Sequence, residues 1–218
     1  MSLRLPPYVP LPSPQPDQPQ LRVPIHDLRP TQMCVGMAEV RSRQRDFTTE
    51  TSQERLSYLS SKPVPLVSNA AGRLWMVDRH HRLRALLELD PMAVACGYEV
   101  LRMDVEDDSP VLAELKRRGW LYLHDGRGHG PHPPSALPSQ LSGPQDDPYR
   151  SLVWKLKKEG RIRPAPLIPF HEFRWAAWLR RRSLPPFSSM RLEPALPAAR
   201  ALVRSRAASH LAGWKGPA

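Results

Sequence analysis

Apolar positions repeat at strand or helix spacing from about residue 21 onward. Short apolar runs between turn residues predict strands over 21–25, 64–67, 74–77, 93–96 and 98–105. Apolar positions spaced three and four apart predict helices over 35–47, 51–60, 79–89, 110–118, 148–159, 170–182 and 194–211. This order predicts an α/β (α+β) fold, with a small mixed sheet from residues 21–105 and a mainly helical C-terminal part.

Composition divides the chain into four segments. Seven prolines fall within residues 6–19, so residues 1–20 are predicted to be a disordered, Pro-rich arm. Residues 21–120 then form the α/β core, and residues 148–218 form a basic helical extension. Between them, residues 121–147 contain five prolines, four glycines and three histidines with little periodicity, which predicts a long loop.

The change from strand to helix within residues 74–87 is the most informative part of the sequence. The apolar run 74–77 ends at Asp78, a residue type that caps helices. A helix N-terminus presents unpaired N–H groups and a positive dipole end, which favours an anion. A phosphate site is predicted here from the next four side chains, Arg79, His80, His81 and Arg82. The alternative is an ordinary capped helix with a solvated basic first turn.

Within this group, Arg82 is the strongest candidate because its forked guanidinium can bind two phosphate oxygens at once. His81 can donate to the same anion, whereas His80 is equally consistent with ligand contact and with core packing. Adjacent histidines point about 100° apart on a helix, which argues against a zinc chelate. Asp78 either caps the helix or holds a Mg²⁺ ion that bridges a bound nucleotide.

Several segments also carry a resemblance to a known family. Asp78-Arg79-His80-His81-Arg82 is similar to the Asp-Gly-His-His-Arg signature of one branch of the ParB/sulfiredoxin superfamily. The other segments are Leu28-Arg29-Pro30-Thr31-Gln32-Met33 with Val35-Gly36, Asp147-Pro148-Tyr149-Arg150-Ser151-Leu152, and Phe170-His171-Glu172-Phe173-Arg174-Trp175-Ala176. Together they span about residues 21–182 in the expected order, and they resemble the family known as putative ParB-like nuclease. The resemblance implies a sheet of the ParB/sulfiredoxin type.

The resemblance leaves several activities open, because superfamily members bind DNA, hydrolyse CTP, repair oxidised peroxiredoxins or phosphorylate free serine. Repair is excluded, since sulfiredoxins carry their catalytic cysteine where this chain has His80. In the serine-kinase branch a glutamate on the first helical segment is the base, which makes Glu39 the candidate here. The alternative interpretation of Glu39 is a solvated carboxylate on the helix surface. The implied ligands are a nucleotide (ATP, ADP or CTP) and Mg²⁺.

Positive charge is concentrated at the C-terminal end of the chain. Residues 150–218 hold 15 basic and 3 acidic residues, a net of +12 within a total of +11. Such a block attracts polyanions, which makes Arg180, Arg181 and Arg182 candidate nucleic-acid contacts. The alternative is a composition bias towards arginine, although this bias does not explain the scarcity of acids.

The long loop and the last aromatic residues each allow two interpretations. Three histidines and Asp125 within 121–147 match no standard zinc spacing, and the glycines there favour a loop that covers a ligand. The aromatic residues of 170–178 fit an apolar helical stripe, so core packing is favoured over base stacking.

The remaining composition narrows the class of protein. Cys34 and Cys96 have no metal-ligand spacing and are predicted to be free thiols. No membrane span or signal peptide is evident, which predicts a cytoplasmic protein. The hypotheses are nuclease-like phosphoester chemistry, a nucleotide-dependent kinase of a free amino acid such as serine, and a non-catalytic DNA- or nucleotide-binding module.

Overall fold

A computed structural model describes residues 7–15 and 17–217 and confirms the mixed α/β architecture. The strands are β1 (Leu21–Pro24), β2 (Leu28–Pro30), β3 (Cys34–Val35), β4 (Val64–Asn69), β5 (Leu74–Met76), β6 (Val94–Met103) and β7 (Gln145–Asp146). The helices are α1 (Met37–Thr49), α2 (Ser52–Ser61), α3 (His80–Leu89), α4 (Asp108–Arg117), α5 (Pro148–Lys158), α6 (His171–Arg180) and α7 (Leu196–Arg204). No helix in the described part of the chain is long and apolar enough to cross a membrane.

Five strands form one mixed sheet in the order β1-β6-β4-β5-β2. β1 pairs with β6 and β4 with β5 in antiparallel fashion, whereas β4–β6 and β2–β5 are parallel pairs. β3 and β7 form a separate parallel pair. Because β5 lies between β4 and β2, the turn from β5 into α3 begins inside the sheet, where neighbouring strands hold it.

The sheet is packed on both faces, as the alternation of side chains along β5 shows. Met76 belongs to a core with Val40 of α1 and Leu83 of α3, whereas Trp75 belongs to a core with Leu115 of α4. Successive residues of a strand point to opposite faces, so one short strand serves both cores. A third core joins α5, α6 and α7.

Some elements differ from the sequence prediction. The two strands predicted over 93–105 are one strand, β6, and the last helix ends at Arg204 rather than near residue 211. β3 and β7 were not predicted, since each has two residues and exists only by pairing with a partner more than a hundred residues away. The predicted loop 121–147 therefore contains a strand that reaches back to β3.

The N-terminal segment also differs from the predicted disordered arm. Backbone N–H groups of Val9 and Leu11 donate to the carbonyls of Arg118 and Leu167, and Leu11 is only 6% exposed. Trp120 Nε1 donates to the Val9 carbonyl over 2.8 Å. Prolines permit an extended chain whose carbonyls remain available as acceptors, so this part of the arm packs against the body. Residues 1–6 and 16 of the predicted arm lie outside the described residues.

Deleting residues 1–12 should lower the thermal midpoint measured by circular dichroism by roughly 5–15 °C. The deletion removes a buried leucine, worth about 1.5–3 kcal/mol, and leaves the buried Trp120 N–H unpaired, at about 1–3 kcal/mol. A control that deletes residues 1–6 alone isolates the effect of residues 7–12. Equal midpoints for the two deletions would show that these contacts contribute no stability.

Candidate functional site

A cavity of about 280 Å³ lies beside the turn from β5 into α3. Its other walls come from α1, from α5, and from residues 164–173, which lead into α6. We call it the cationic cavity because five basic side chains and three carboxylates line it. The basic residues are Arg43, Arg79, Arg82, Arg150 and Lys157, and the carboxylates are Glu39, Asp78 and Glu172.

Arg150 is the most deeply placed of these cations. Asp147 caps α5 by accepting the N–H groups of Tyr149 and Arg150, which fixes Arg150 in the first turn of the helix. Arg150 is 5% exposed, and its Nη2 donates to Glu39 over 2.9 Å. Its Nε and Nη1 atoms are buried and have no acceptor among the described residues. Buried donors are normally paired, so these two suit an anion that enters the cavity.

Glu39 lies in the cavity wall, but its chemistry does not suit the predicted role of general base. Burial raises its pKa, and the charges of Arg150 and Lys157 outweigh this effect and lower the pKa to about 2. A general base works best when its pKa is near the working pH. Glu39 is not a solvated carboxylate either, since its side chain is 15% exposed. The geometry makes Glu39 a positioning residue for Arg150.

His80 and His81 are buried and neutral. Thr31 N donates to His80 Nε2 over 3.1 Å, and Gly36 N donates to His81 Nε2 over 2.8 Å. A ring nitrogen that accepts is unprotonated, so Nδ1 carries the proton in each neutral ring. Burial lowers the pKa of His80 to about 4 and lowers that of His81 well below its ordinary value. Both residues therefore connect α3 to the segment 31–36 and line the cavity as neutral groups, not as cations.

Asp78 is not the helix cap that was predicted. The N-cap of α3 is Arg79, which has a φ of 74°, and Asp78 accepts the Arg79 N–H over 2.7 Å. Arg79 is the position at which the Asp-Gly-His-His-Arg signature has glycine, the residue that adopts this backbone conformation without strain. Phe170, with a φ of 54°, precedes α6 in the same way. They are the two non-glycine residues with positive φ in the described chain, and both line the cavity.

Arg82 differs from its predicted setting at an exposed helix start. Its guanidinium lies 4.6 Å from the centroid of the Tyr58 ring, and its Nη1 donates to the Lys62 carbonyl over 3.2 Å. These contacts hold α3 against the end of α2. Arg82 lines the cavity with one buried donor, Nε, unpaired among the described residues, whereas Arg150 has two, so Arg150 replaces it as the principal candidate.

The loop 121–147 does not cover the cavity, which corrects the prediction. None of its described residues lines the cavity, and residues 164–166 and 168–170 lie there instead. A Cβ at Gly126 would lie 2.1 Å from the Asp146 carbonyl oxygen, and one at Gly128 would lie 2.6 Å from Arg180 Nε. The glycines therefore permit the loop to pack closely against the protein itself.

The described residues contain no group of three or more His, Cys, Asp or Glu side chains arranged for a metal ion. The spacing of the loop histidines does not favour a zinc site, although His129 and His132 lie near Asp125. A Mg²⁺ ion takes one or two carboxylates together with phosphate oxygens, so Asp78 could hold one with a bound phosphate. Mg²⁺ at Asp78 stays a prediction.

Arg180 is also placed differently from its prediction as a nucleic-acid contact. Its Nη2 pairs with the fully buried Asp147 over 2.7 Å, and its guanidinium lies 4.5 Å from the Tyr149 ring centroid. Arg180 therefore holds α6 against the start of α5. Arg182 lies 4.2 Å from the Trp178 ring centroid, and Arg181 is exposed. Polyanion binding by Arg181 and Arg182 stays a prediction.

Three functional candidates were missed from sequence. These are Arg150, Lys157 and His171 of α5 and α6. The prediction that the aromatic residues of 170–178 pack in the core is confirmed for Phe173, Trp175 and Trp178, which are buried. A signal for Arg150 was present. Asp147-Pro148 is a typical helix start, which places Arg150 in the first turn of the helix. A cation there interacts unfavourably with the helix dipole, so Arg150 is expected to serve a purpose other than helix stability.

Comparison with known proteins gives the family. The model of the family described as putative ParB-like nuclease matches residues 21–181. The chain belongs to this family. The crystal structure of protein Atu1540 from Agrobacterium tumefaciens is similar to it with 30% identity and a TM-score of 0.79, covering 92% of this chain and 100% of that one. No curated protein matches the chain.

Replacing Arg79 with glycine should give a more stable protein than replacing it with alanine. The two variants lose the same side-chain contacts, and alanine additionally keeps the left-handed backbone strain of about 1–2 kcal/mol. We expect a difference of about 1 kcal/mol in the free energy of unfolding from urea titrations, because glycine gains some entropy in the unfolded chain. Equal stabilities would show that the turn relaxes at no cost.

The two neutral histidines should make stability depend on pH. Their folded pKa values lie below the ordinary value of 6.5, so the unfolded chain binds more protons. The contribution of His80 is complete above pH 6.5 and is lost as the pH falls towards 4, by up to about 1.4 kcal/mol per pH unit, and His81 acts in the same direction. Urea titrations at several pH values should show a shallower slope for His80→Gln. An unchanged slope for His80→Gln would contradict this account.

Proposed function

We propose that this ParB-like protein binds the phosphate group of a nucleotide or nucleic acid in the cationic cavity, with Arg150 as the main anchor. One observation carries the proposal: Arg150, a residue only 5% exposed, lines the cavity with its guanidinium Nε and Nη1 unpaired among the described residues. Leaving a buried charged donor unpaired is costly. An anionic ligand removes that cost.

The surroundings of Arg150 support an anion as the ligand. Basic groups outnumber carboxylates by five to three along the wall, and the first turns of α3 and α6 both contribute to it. Helix N-termini favour negative charge, and charges interact more strongly away from water. The Nδ1–H group of His81 supplies a further donor without adding a charge.

Membership of the ParB-like nuclease family supports phosphoester chemistry at this cavity. Arg150 and Lys157 would stabilise the charge that develops on the phosphoryl oxygens. His171 is a better candidate base than Glu39. Its Nε2 donates to the Ala212 carbonyl over 2.8 Å, so Nδ1 of the neutral ring is free of a proton.

A second candidate is a nucleotide-dependent kinase of a free amino acid such as serine. The observation that favours it is the size and cover of the cavity: about 280 Å³, with residues 164–170 and Leu11 in its wall. A covered cavity of this size suits a small nucleotide better than a nucleic-acid duplex. Non-catalytic binding would use the same residues.

Removing Arg150 should weaken phosphate binding strongly. The variant Glu39→Gln/Arg150→Met avoids leaving a buried carboxylate unpaired. Charge-assisted hydrogen bonds contribute about 1.5–3 kcal/mol each, so losing two should weaken binding roughly 100-fold or more. Isothermal titration with ATP, ADP, CTP and a single-stranded oligonucleotide, with and without Mg²⁺, measures the effect.

The matched control is Arg200→Met, since Arg200 pairs with Glu159 and lies outside the cavity wall. It should bind like the unmodified protein. A folded double variant that keeps full affinity would contradict the proposal. Assays of the unmodified protein distinguish the two candidate functions. Oligonucleotide cleavage would support the nuclease, and ATP turnover that requires serine would support the kinase.

A further inference from the structure

A second cavity, of about 360 Å³, has two described lining residues in common with the cationic cavity, Ile168 and His171. We call it the tryptophan cavity after Trp175 and Trp178, which line it together with Tyr8, Arg174, Arg181 and His210. Tyr8 and His210 lie outside residues 21–181, the part of the chain that the family model matches. The N-terminal segment and the C-terminal end therefore build part of this cavity on top of the family fold.

Aromatic side chains form much of its wall. The Trp175 and Trp178 rings meet edge to face, with centroids 6.0 Å apart. Trp175 Nε1 donates to the Ala212 carbonyl over 2.9 Å. Trp178 is 7% exposed, and its Nε1–H is buried with no acceptor among the described residues. A buried indole N–H usually has a partner, so this wall suits a flat ring that carries an acceptor.

Among the described residues, the charged side chains that line the cavity are those of Arg174 and Arg181, and no carboxylate lines it. The guanidinium of Arg182 lies over the Trp178 ring as well. A negatively charged group on the ligand complements this wall, and a positively charged one is repelled.

We propose that the tryptophan cavity binds a small aromatic anion, a planar ring that carries one carboxylate or phosphate group. Its volume and its mainly apolar lining with a few polar groups are those of small-molecule sites. The proposal is independent of phosphate binding in the cationic cavity, because the charged residues of the two walls are different.

Isothermal titration of the full chain separates the contributions of ring and charge. The probes are 2-naphthoate, 2-naphthyl phosphate, neutral 2-naphthalenemethanol and non-aromatic cyclohexanecarboxylate. We expect the tighter of the two naphthyl anions to bind about tenfold more strongly than the alcohol. Cyclohexanecarboxylate should bind several-fold more weakly than naphthoate, because it lacks the aromatic contacts. Equal affinity for anion and alcohol, or no binding of either anion, would overturn the proposal.

Variants then locate the bound probe. Trp178→Phe keeps a ring but removes the N–H, and it should weaken naphthoate binding about fivefold. Arg181→Gln, a change at an exposed position, should also weaken it. Trp154→Phe is the matched control, since Trp154 lines neither cavity. Arg79→Gly should leave naphthoate binding unchanged; if binding is lost, the anion lies in the cationic cavity and the proposal fails.

Discussion

The buried ion pair between Glu39 and Arg150 is the interaction on which the site depends. It joins α1 of the core to α5 of the C-terminal part, and taking two charges out of water stabilises a fold only when their hydrogen bonds are satisfied. Glu39 accepts a hydrogen bond from Nη2 of Arg150, and Nε and Nη1 of Arg150 are left without an acceptor among the described residues. The start of α1 depends on the same segment, because Asp146 and Ser151 accept the N–H groups of Met37 and Ala38. The predicted core and extension are thus joined at the cavity.

The turn into α3 shows how the fold holds polar groups beside this pair. Two neutral histidines accept backbone N–H groups from residues 31 and 36, so the first turn of α3 is fixed to the segment that leads into α1. Arg79 keeps a left-handed backbone that glycine would adopt more easily. Strain of this kind persists only where the surroundings fix it, and it is concentrated at functional sites. Here it places one more cation in the cavity wall.

Periodicity predicted most of the regular structure, because long elements carry an apolar stripe that can be seen locally. The strand 74–77 and the helix 79–89 are examples, and the signature at Asp78–Arg82 located one wall of the cavity. Contacts between distant residues could not be predicted in this way. β3 pairs with β7, the Leu11 N–H donates to the Leu167 carbonyl, and Arg150 meets Glu39 across 111 positions. Arg82 and Arg180 looked available in sequence, yet an aromatic ring and a buried carboxylate occupy them.

The most direct test of the account is a crystal structure of the protein with tungstate, a phosphate analogue whose anomalous scattering locates it without ambiguity. The account predicts an oxyanion in the cationic cavity, with oxygens about 3 Å from Arg150 Nε or Nη1 and the Glu39–Arg150 pair intact. An oxyanion bound elsewhere, with Arg150 making no contact to it, would contradict the central claim.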